Sequence, residues 1–307
     1  RNCASAMQSV IYGAQQIMLG DMDVVVAGGV EVMSRVPYVL KDARWGKRLQ
    51  HGVMSDGIWD GLTDPYCGLI MGLTAENLAE KYSISREEQD EVALRSHNNA
   101  EKATLSGLFK EEIMPVEIPQ KKGNPVVFDK DEHYRSGMTM DQLSKLKPSF
   151  KPDGTVTAGN ASGINDAAAA LVLVAEERAN DLGVTPIARL RGYGLGAVEP
   201  ELMGYGPVPA TRQALKRTGL KLDDIELIEL NEAFAAQYLA CEKLLGLNRD
   251  ITNVNGSGIA LGHPVGCTGA RIIVSLLHEM KRRGNRLGLA TLCVGGGMGQ
   301  ATIWEMC

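Results

Sequence analysis

The sequence has 307 residues, 44% of them hydrophobic, and a net charge of −5. That length and composition fit a folded globular chain, either one large domain or two to three smaller ones, and not a disordered one. The mild negative charge excludes the electrostatic footprint of a nucleic-acid binder. The longest unbroken apolar run, Ala167 to Ala175, is far short of the ~20 residues that span a bilayer.

Along the chain, Ala4 to Leu19 predicts a helix: Ala, Met and Gln favour it and Gly20 closes it. Asp23-Val24-Val25-Val26-Ala27 predicts a short buried strand, with Gly28-Gly29 as a tight turn after it. Residues 36–164 differ in character, holding Trp45, Trp59, most of the histidines and many charges. They read as an insertion with its own helices, Leu73 to Tyr82 and Arg86 to Ser106, the second opened by a Ser85–Glu88 capping box. The alanine-rich stretch from Asn165 to Glu177 predicts a helix, and Pro186 to Gly192 and Ile225 to Leu230 predict strands. From Gly266 to His278 the pattern becomes an amphipathic helix, ended near Gly284, where Lys281-Arg282-Arg283 suit the negative end of the helix dipole. Leu287 to Leu292 predicts a strand, and Gly295-Gly296-Gly297 a turn. A helix–strand–glycine order thus recurs at both ends, as in a duplicated half-domain. The alternation of helices and apolar strands predicts an α/β fold with layered sheets.

Six cysteines occur, at 3, 67, 241, 267, 293 and 307. None forms a Cys-x-x-Cys pair or stands at a metal-ligand spacing from a histidine, so reduced thiols in a cytosol-like compartment are expected. The chain begins at Arg1, inside a motif, so its start says nothing about targeting.

Four places carry candidate chemistry. Cys3 directly precedes a helix, where the dipole and free N–H groups favour a thiolate, although cysteine is also a common buried residue. His263 stands in Gly262-His263-Pro264-Val265-Gly266, where proline and glycines specify the backbone around one imidazole. Cys293 ends a strand and meets a glycine-rich turn whose amides suit an oxyanion. Asn231 follows a strand at the end where α/β folds place ligands, or else caps the helix after it. Gly192-Tyr193-Gly194-Leu195-Gly196-Ala197 matches a dinucleotide pattern, but Val198-Glu199-Pro200 follows where the fingerprint needs a helix.

Asn-Cys-Ala-Ser at 2–5, Asn-Glu-Ala-Phe at 231–234, Gly-His-Pro at 262–264 and Cys-Val-Gly-Gly-Gly at 293–297 resemble, in order and spacing, the four active-site blocks of the thiolase family. The segments at 26–29, 72–77 and 159–166 resemble thiolase segments too, so the likeness covers essentially the whole chain.

The resemblance implies a thiolase-like duplicated, layered α/β/α/β/α fold with an inserted loop domain and its N-terminal part outside this chain. Residues 1–35 and 165–183 would be the remainder of the N-terminal half, 36–164 the inserted CoA-binding domain, and 184–307 the C-terminal half. An upstream segment is expected to complete the first sheet; without it, apolar surface on Val24 to Ala27 and the first helix stands exposed. The implied activity is CoA-dependent Claisen condensation or thiolytic cleavage of a 3-ketoacyl-CoA through an acyl-Cys3 intermediate.

By position, Cys3 corresponds to the nucleophile, His263 to the imidazole that activates it and faces a first oxyanion hole, and Asn231 to the holder of a water in that hole. Cys293 corresponds to the acid/base at the acetyl carbon, and the amides of Cys3 and Gly295 to a second oxyanion hole. Ser162 and Phe150 match positions lining the pantetheine tunnel. Arg135 matches one near the nucleotide end of CoA, and Met71, Ala158 and Phe234 are further CoA-binding candidates. The likeness implies acetyl-CoA and acyl-CoA as substrates, no metal or redox cofactor, a homodimer or homotetramer, no nucleic acid, no membrane insertion and a cytoplasmic setting. Two departures stand out. Ala6 replaces a usual glycine and is expected to narrow the space beside the nucleophile. Ile70 stands where short-chain biosynthetic members carry a histidine, which tilts the expectation toward degradative, β-oxidation-type or broader acyl specificity. The alternative is a catalytically silent CoA or lipid carrier module on the same fold.

Overall fold

The computed structural model describes all of residues 1–307. A single 3-10 turn at Asn2–Ala4 leads into α1 (Ser5–Met18), which buries Ala6, Met7, Val10, Ile11 and Ala14, spaced as one helix face. β1 (Val24–Val32) follows. Then come the β2 (Tyr38–Leu40) and β3 (Met54–Asp56) hairpin, α2 (Gly57–Gly61), α3 (Met71–Lys81) and α4 (Arg86–Leu105). The Ser85–Glu88 capping box that opens α4 is present in both directions. A second hairpin, β4 (Val116–Ile118) with β5 (Val126–Phe128), precedes α5 (Met140–Ser144), β6 (Asp166–Val174) and α6 (Glu176–Leu182). The last stretch holds β7 (Ala188–Ala197), α7 (Pro207–Thr218), β8 (Leu227–Leu230), α8 (Ala235–Leu245), α9 (Gly258–Leu261), α10 (Thr268–Arg283), β9 (Leu287–Val294) and β10 (Met298–Met306).

β1 pairs antiparallel with β6, from Val24 opposite Val174 to Val32 opposite Asp166. Two expectations fail here. The alanine-rich stretch is a strand, not a helix. Its exposure alternates residue by residue, and only Glu176 onward is helical. Nine ladder partners on β1 outweigh alanine's helix propensity. Nor do Gly28-Gly29 make a turn, because β1 runs straight through them. They are needed for close approach: a Cβ on Gly28 would run into the Ala169 carbonyl, and one on Gly29 into the Gly266 carbonyl and the Ala6 methyl. One side of the strand pair is open, matching the exposed apolar surface expected at 24–27, with Val26 and Val172 73% and 68% exposed.

The second sheet has the order β7-β10-β9-β8, antiparallel except for the parallel β8–β9 pair. The helices α1 and α10 lie side by side between the two sheets. Their shared core joins Met7, Val10 and Ile11 to Ile272, Ile273 and Leu276. Each fully buried side chain of this size contributes about 1.5–3 kcal/mol. On the far face of the second sheet α7 and α8 pack with α3, burying Leu78, Tyr238, Leu239 and Ile303 in a second core. The layers therefore run sheet, helix, sheet, helix. Gly194 and Gly196, from the dismissed dinucleotide pattern, lie inside β7, where α7 presses too close for any Cβ. No helix is long and apolar enough to cross a membrane.

Candidate active site

Cys3 occupies the turn that feeds α1. Asn2 before it adopts a left-handed backbone with φ 44°, a conformation asparagine tolerates better than most residues. The Asn2 Nδ2 donates to the Gly295 carbonyl at 3.4 Å, joining the two ends of the chain at the nucleophile. The Gly295 backbone lies beside the Cys3 sulfur and favours its charged form. Burial pushes the Cys3 thiol above its ordinary value, and the Gly295 amide only partly opposes this. The resting residue is a thiol, contrary to the thiolate expected from the helix terminus alone, and it needs a base.

Cys293 is buried at the end of β9, and the turn Gly295-Gly296-Gly297 returns the chain into β10. Gly296 and Gly297 have φ of 86° and 74°, where a side chain would be strained. Burial drives the Cys293 thiol well above its ordinary value, and the neighbouring Cys3 sulfur adds to this. The Asn2–Ala4 turn packs against β9, which brings together two residues 290 positions apart. Cys3, Met71, Gly295 and Val265 line one cavity of about 380 Å³, with apolar walls from Val36, Ile58 and Leu62. The Ala6 methyl is fully buried and faces Gly29 across to β1, so it does not narrow this cavity as expected.

His263 lies on the loop between α9 and α10, two residues from the cavity wall. Its Nδ1 is 2.7 Å from Thr268 Oγ1 and 3.3 Å from Asn231 Nδ2. Thr268 Oγ1 gives its one hydrogen to the Pro264 carbonyl at 2.9 Å. It therefore accepts from Nδ1–H, which leaves the lone pair on Nε2. The Asn231 amide turned over would present its orphaned Oδ1 to the same N–H. Asn231 is not a helix cap; Phe234 holds that position for α8. Burial, helped by the Arg271 charge, pushes the His263 imidazole down to about 4. Its loss as a base should therefore place the acidic limb of kcat/KM near 4. A pH–rate profile with that limb near 6.5 would contradict this burial. The folded pKa is also below the unfolded one, so this group erodes stability as pH falls from 6.5 toward 4.

The CoA-binding candidates are only partly brought together. Met71 begins α3 with its sulfur against Gly295, and Gly72 meets the Phe150 ring. Phe150 packs edge-on against Phe234, centroids 6.2 Å apart. The Ser162 N–H donates to Ala233 O at 3.0 Å. Of these residues Met71 alone lines the cavity with Cys3. Ala158 is exposed. Arg135 is also exposed and is tied by its backbone N–H to His97 Nδ1 on α4.

Four positioning side chains escaped the reading of the sequence. The Glu31 carboxylate accepts the Gly266 N–H at 2.8 Å, and Asn165 Oδ1 accepts the His263 N–H at 3.3 Å, so both hold the His263 loop. Thr268 sets the tautomer, and Asp64 accepts the Gly296 N–H at 2.7 Å. Only Thr268 had a local signal, five residues after His263 in the same glycine-rich block. All six cysteines are free thiols.

Residues 1–177 match the family profile described as thiolase, N-terminal domain, and residues 184–306 that of thiolase, C-terminal domain. The chain is 53% identical over 304 residues to the acetyl-CoA acetyltransferase of Chromobacterium violaceum, covering 99% of this chain and 78% of that protein. It is 51% identical over 306 residues to beta-ketothiolase BktB of Cupriavidus necator, covering 99% and 77%. The crystal structure of the Bacillus anthracis acetyl-CoA acetyltransferase superposes with a TM-score of 0.97 at 56% identity, over 100% of this chain and 78% of that one. Human mitochondrial 3-ketoacyl-CoA thiolase in complex with CoA superposes with a TM-score of 0.96 at 45% identity, over 100% and 76%.

Proposed function

The chain belongs to the thiolase family and is an acyltransferase acting on acyl-CoA, and from that premise we propose how its residues divide the work. In the cleaving direction, His263 Nε2 takes the Cys3 proton and the thiolate attacks the 3-keto carbon. The bond between C2 and C3 breaks, and its electron pair moves into the thioester as an enolate. The Nε2–H that His263 has gained, with a water held by Asn231, stabilises that oxygen. Cys293 donates its proton to C2, releasing acetyl-CoA. A fresh CoA thiol gives its proton to the Cys293 thiolate and attacks the acyl-Cys3 carbonyl. The oxyanion formed is held by the amides of Cys3 and Gly295 until it collapses to acyl-CoA and the Cys3 thiolate, which takes its proton back from His263. Condensation is the same path reversed.

What supports this reading above all is that Cys3 and Gly295 line one cavity while the buried Cys293 thiol lies close enough to Cys3 to feel it. The raised thiol of Cys293 suits an acid that keeps its proton until an enolate forms. The depressed imidazole of His263 suits a base that is neutral at ordinary pH. We further read 36–164 as the CoA-binding insertion, with Met71, Phe150, Ser162 and Phe234 along the pantetheine path and Arg135 and Ala158 nearer the surface. The free thiols suit a reducing compartment such as the cytoplasm. The family likeness is the ground for reading the chain as a homodimer or homotetramer.

The apolar cavity walls and the absence of a histidine at Ile70 favour acyl groups longer than acetyl. Initial rates against 3-ketoacyl-CoA of increasing chain length, at several CoA concentrations, test both points. Parallel double-reciprocal lines and kcat/KM peaking above four carbons are expected; intersecting lines would exclude the covalent path, and a peak at four carbons the wider acyl site.

A further inference from the structure

The turn carrying Gly295 has no side chain with which to hold its own shape. Three successive glycines lose more backbone freedom on folding than any other tripeptide, so an amide aimed from such a turn needs an outside anchor. Asp64, on the loop between α2 and α3, supplies one. The residue is 1% exposed. Its Oδ1 accepts the N–H groups of Tyr66 and Cys67 at 2.8 and 3.3 Å, which closes its own loop. Its Oδ2 accepts the Gly296 N–H at 2.7 Å, 232 positions away in sequence and adjacent to Gly295. The Asp64 backbone is pinned as well, its N–H to Leu69 O and its O to Gly68 N–H, both at 2.8 Å. No lysine or arginine pairs with this carboxylate. A buried charge held by amides alone is costly to keep, and closing the loop uses only one of its two oxygens.

We propose that Asp64 is a positioning residue for the reaction at Cys3, fixing the Gly295–Gly297 turn so that the Gly295 N–H stays aimed at the Cys3 sulfur and at the oxygen of the acyl group it carries. The proposal rests on the roles given above to Cys3 and Gly295. Asp64 also belongs to the cavity wall with Leu62 and Tyr66, so one carboxylate locks the substrate-side loop to the oxyanion-side turn.

The test uses the full chain with Asp64→Ala and Asp64→Asn. It measures carbamidomethylation of Cys3 by iodoacetamide at fixed pH, kcat and KM with acetoacetyl-CoA and CoA, and the thermal midpoint. Asp64→Ala should slow Cys3 alkylation and lower kcat by about ten- to a hundredfold, less than deleting an oxyanion donor outright, with KM within about threefold. Asp64→Asn keeps one acceptor but turns an NH2 on other amides, so it should recover part of the rate yet stay at least about threefold below the parent. A purely structural Asp64 would lower the thermal midpoint and leave alkylation and kcat at parental values, and that result overturns the proposal. If Asp64→Ala does not fold, Asp64→Asn decides, with parental alkylation and kcat again overturning it. A parent that fails to react at Cys3 would remove the underlying reading as well. A parent that reacts at Cys3, alongside Asp64 variants of equal rate, would remove only Asp64.

Discussion

Cys3→Ser is expected to lower kcat by at least about a thousandfold with the fold unchanged. The base sets the size of this loss. The His263 imidazole, pushed down to about 4, is a weak acceptor, and it already works uphill against a Cys3 thiol raised by burial. A serine hydroxyl, far less acidic still, would keep its proton. Oxygen is smaller than sulfur and occupies the same place beside the Gly295 backbone, so packing and substrate binding should survive. Turnover can be followed by loss of acetoacetyl-CoA, with far-ultraviolet circular dichroism as the check on folding. Activity near the parental level would take Cys3 out of its role.

Cys293→Ala should lower kcat by roughly a hundred- to ten-thousandfold, the range for loss of a general acid–base group, while Cys3 still acylates. Cys293 is 1% exposed, and burial holds its proton firmly. Once an enolate forms at C2, that proton has one place to go. The diagnostic readout is exchange of the α-protons of acetyl-CoA with deuterium from solvent, which should slow in step with kcat. Normal exchange combined with lost acylation would reverse the assignments of the two cysteines.

The chemistry was legible in the sequence wherever a reactive residue and the residues shaping its backbone are contiguous. Gly262-His263-Pro264 and Cys293 with its three glycines are of this kind, and Ser85 with Glu88 showed a helix start for the same reason. Features decided by distant partners were not legible. Asp64 looks like an ordinary Asp-Pro turn until the fold brings Gly296 to it. The alanines of β6 carry no side chain large enough to display a period of two, so only their pairing with β1 reveals the strand. Gly28 and Gly29 were mistaken for a turn because close approach and chain reversal call for the same residue. The ionisation of Cys3 went wrong for a related reason. The helix terminus is local and visible, whereas the burial that outweighs it comes from elements near both ends of the chain.

The most direct test is to mix the protein with acetoacetyl-CoA in the absence of free CoA, quench in acid, digest, and locate added mass by tandem mass spectrometry. One acetyl group on the peptide carrying Cys3, removable by added CoA, is the predicted result. An acyl group on Cys293 instead, or none on either thiol in protein that still turns over, would contradict it.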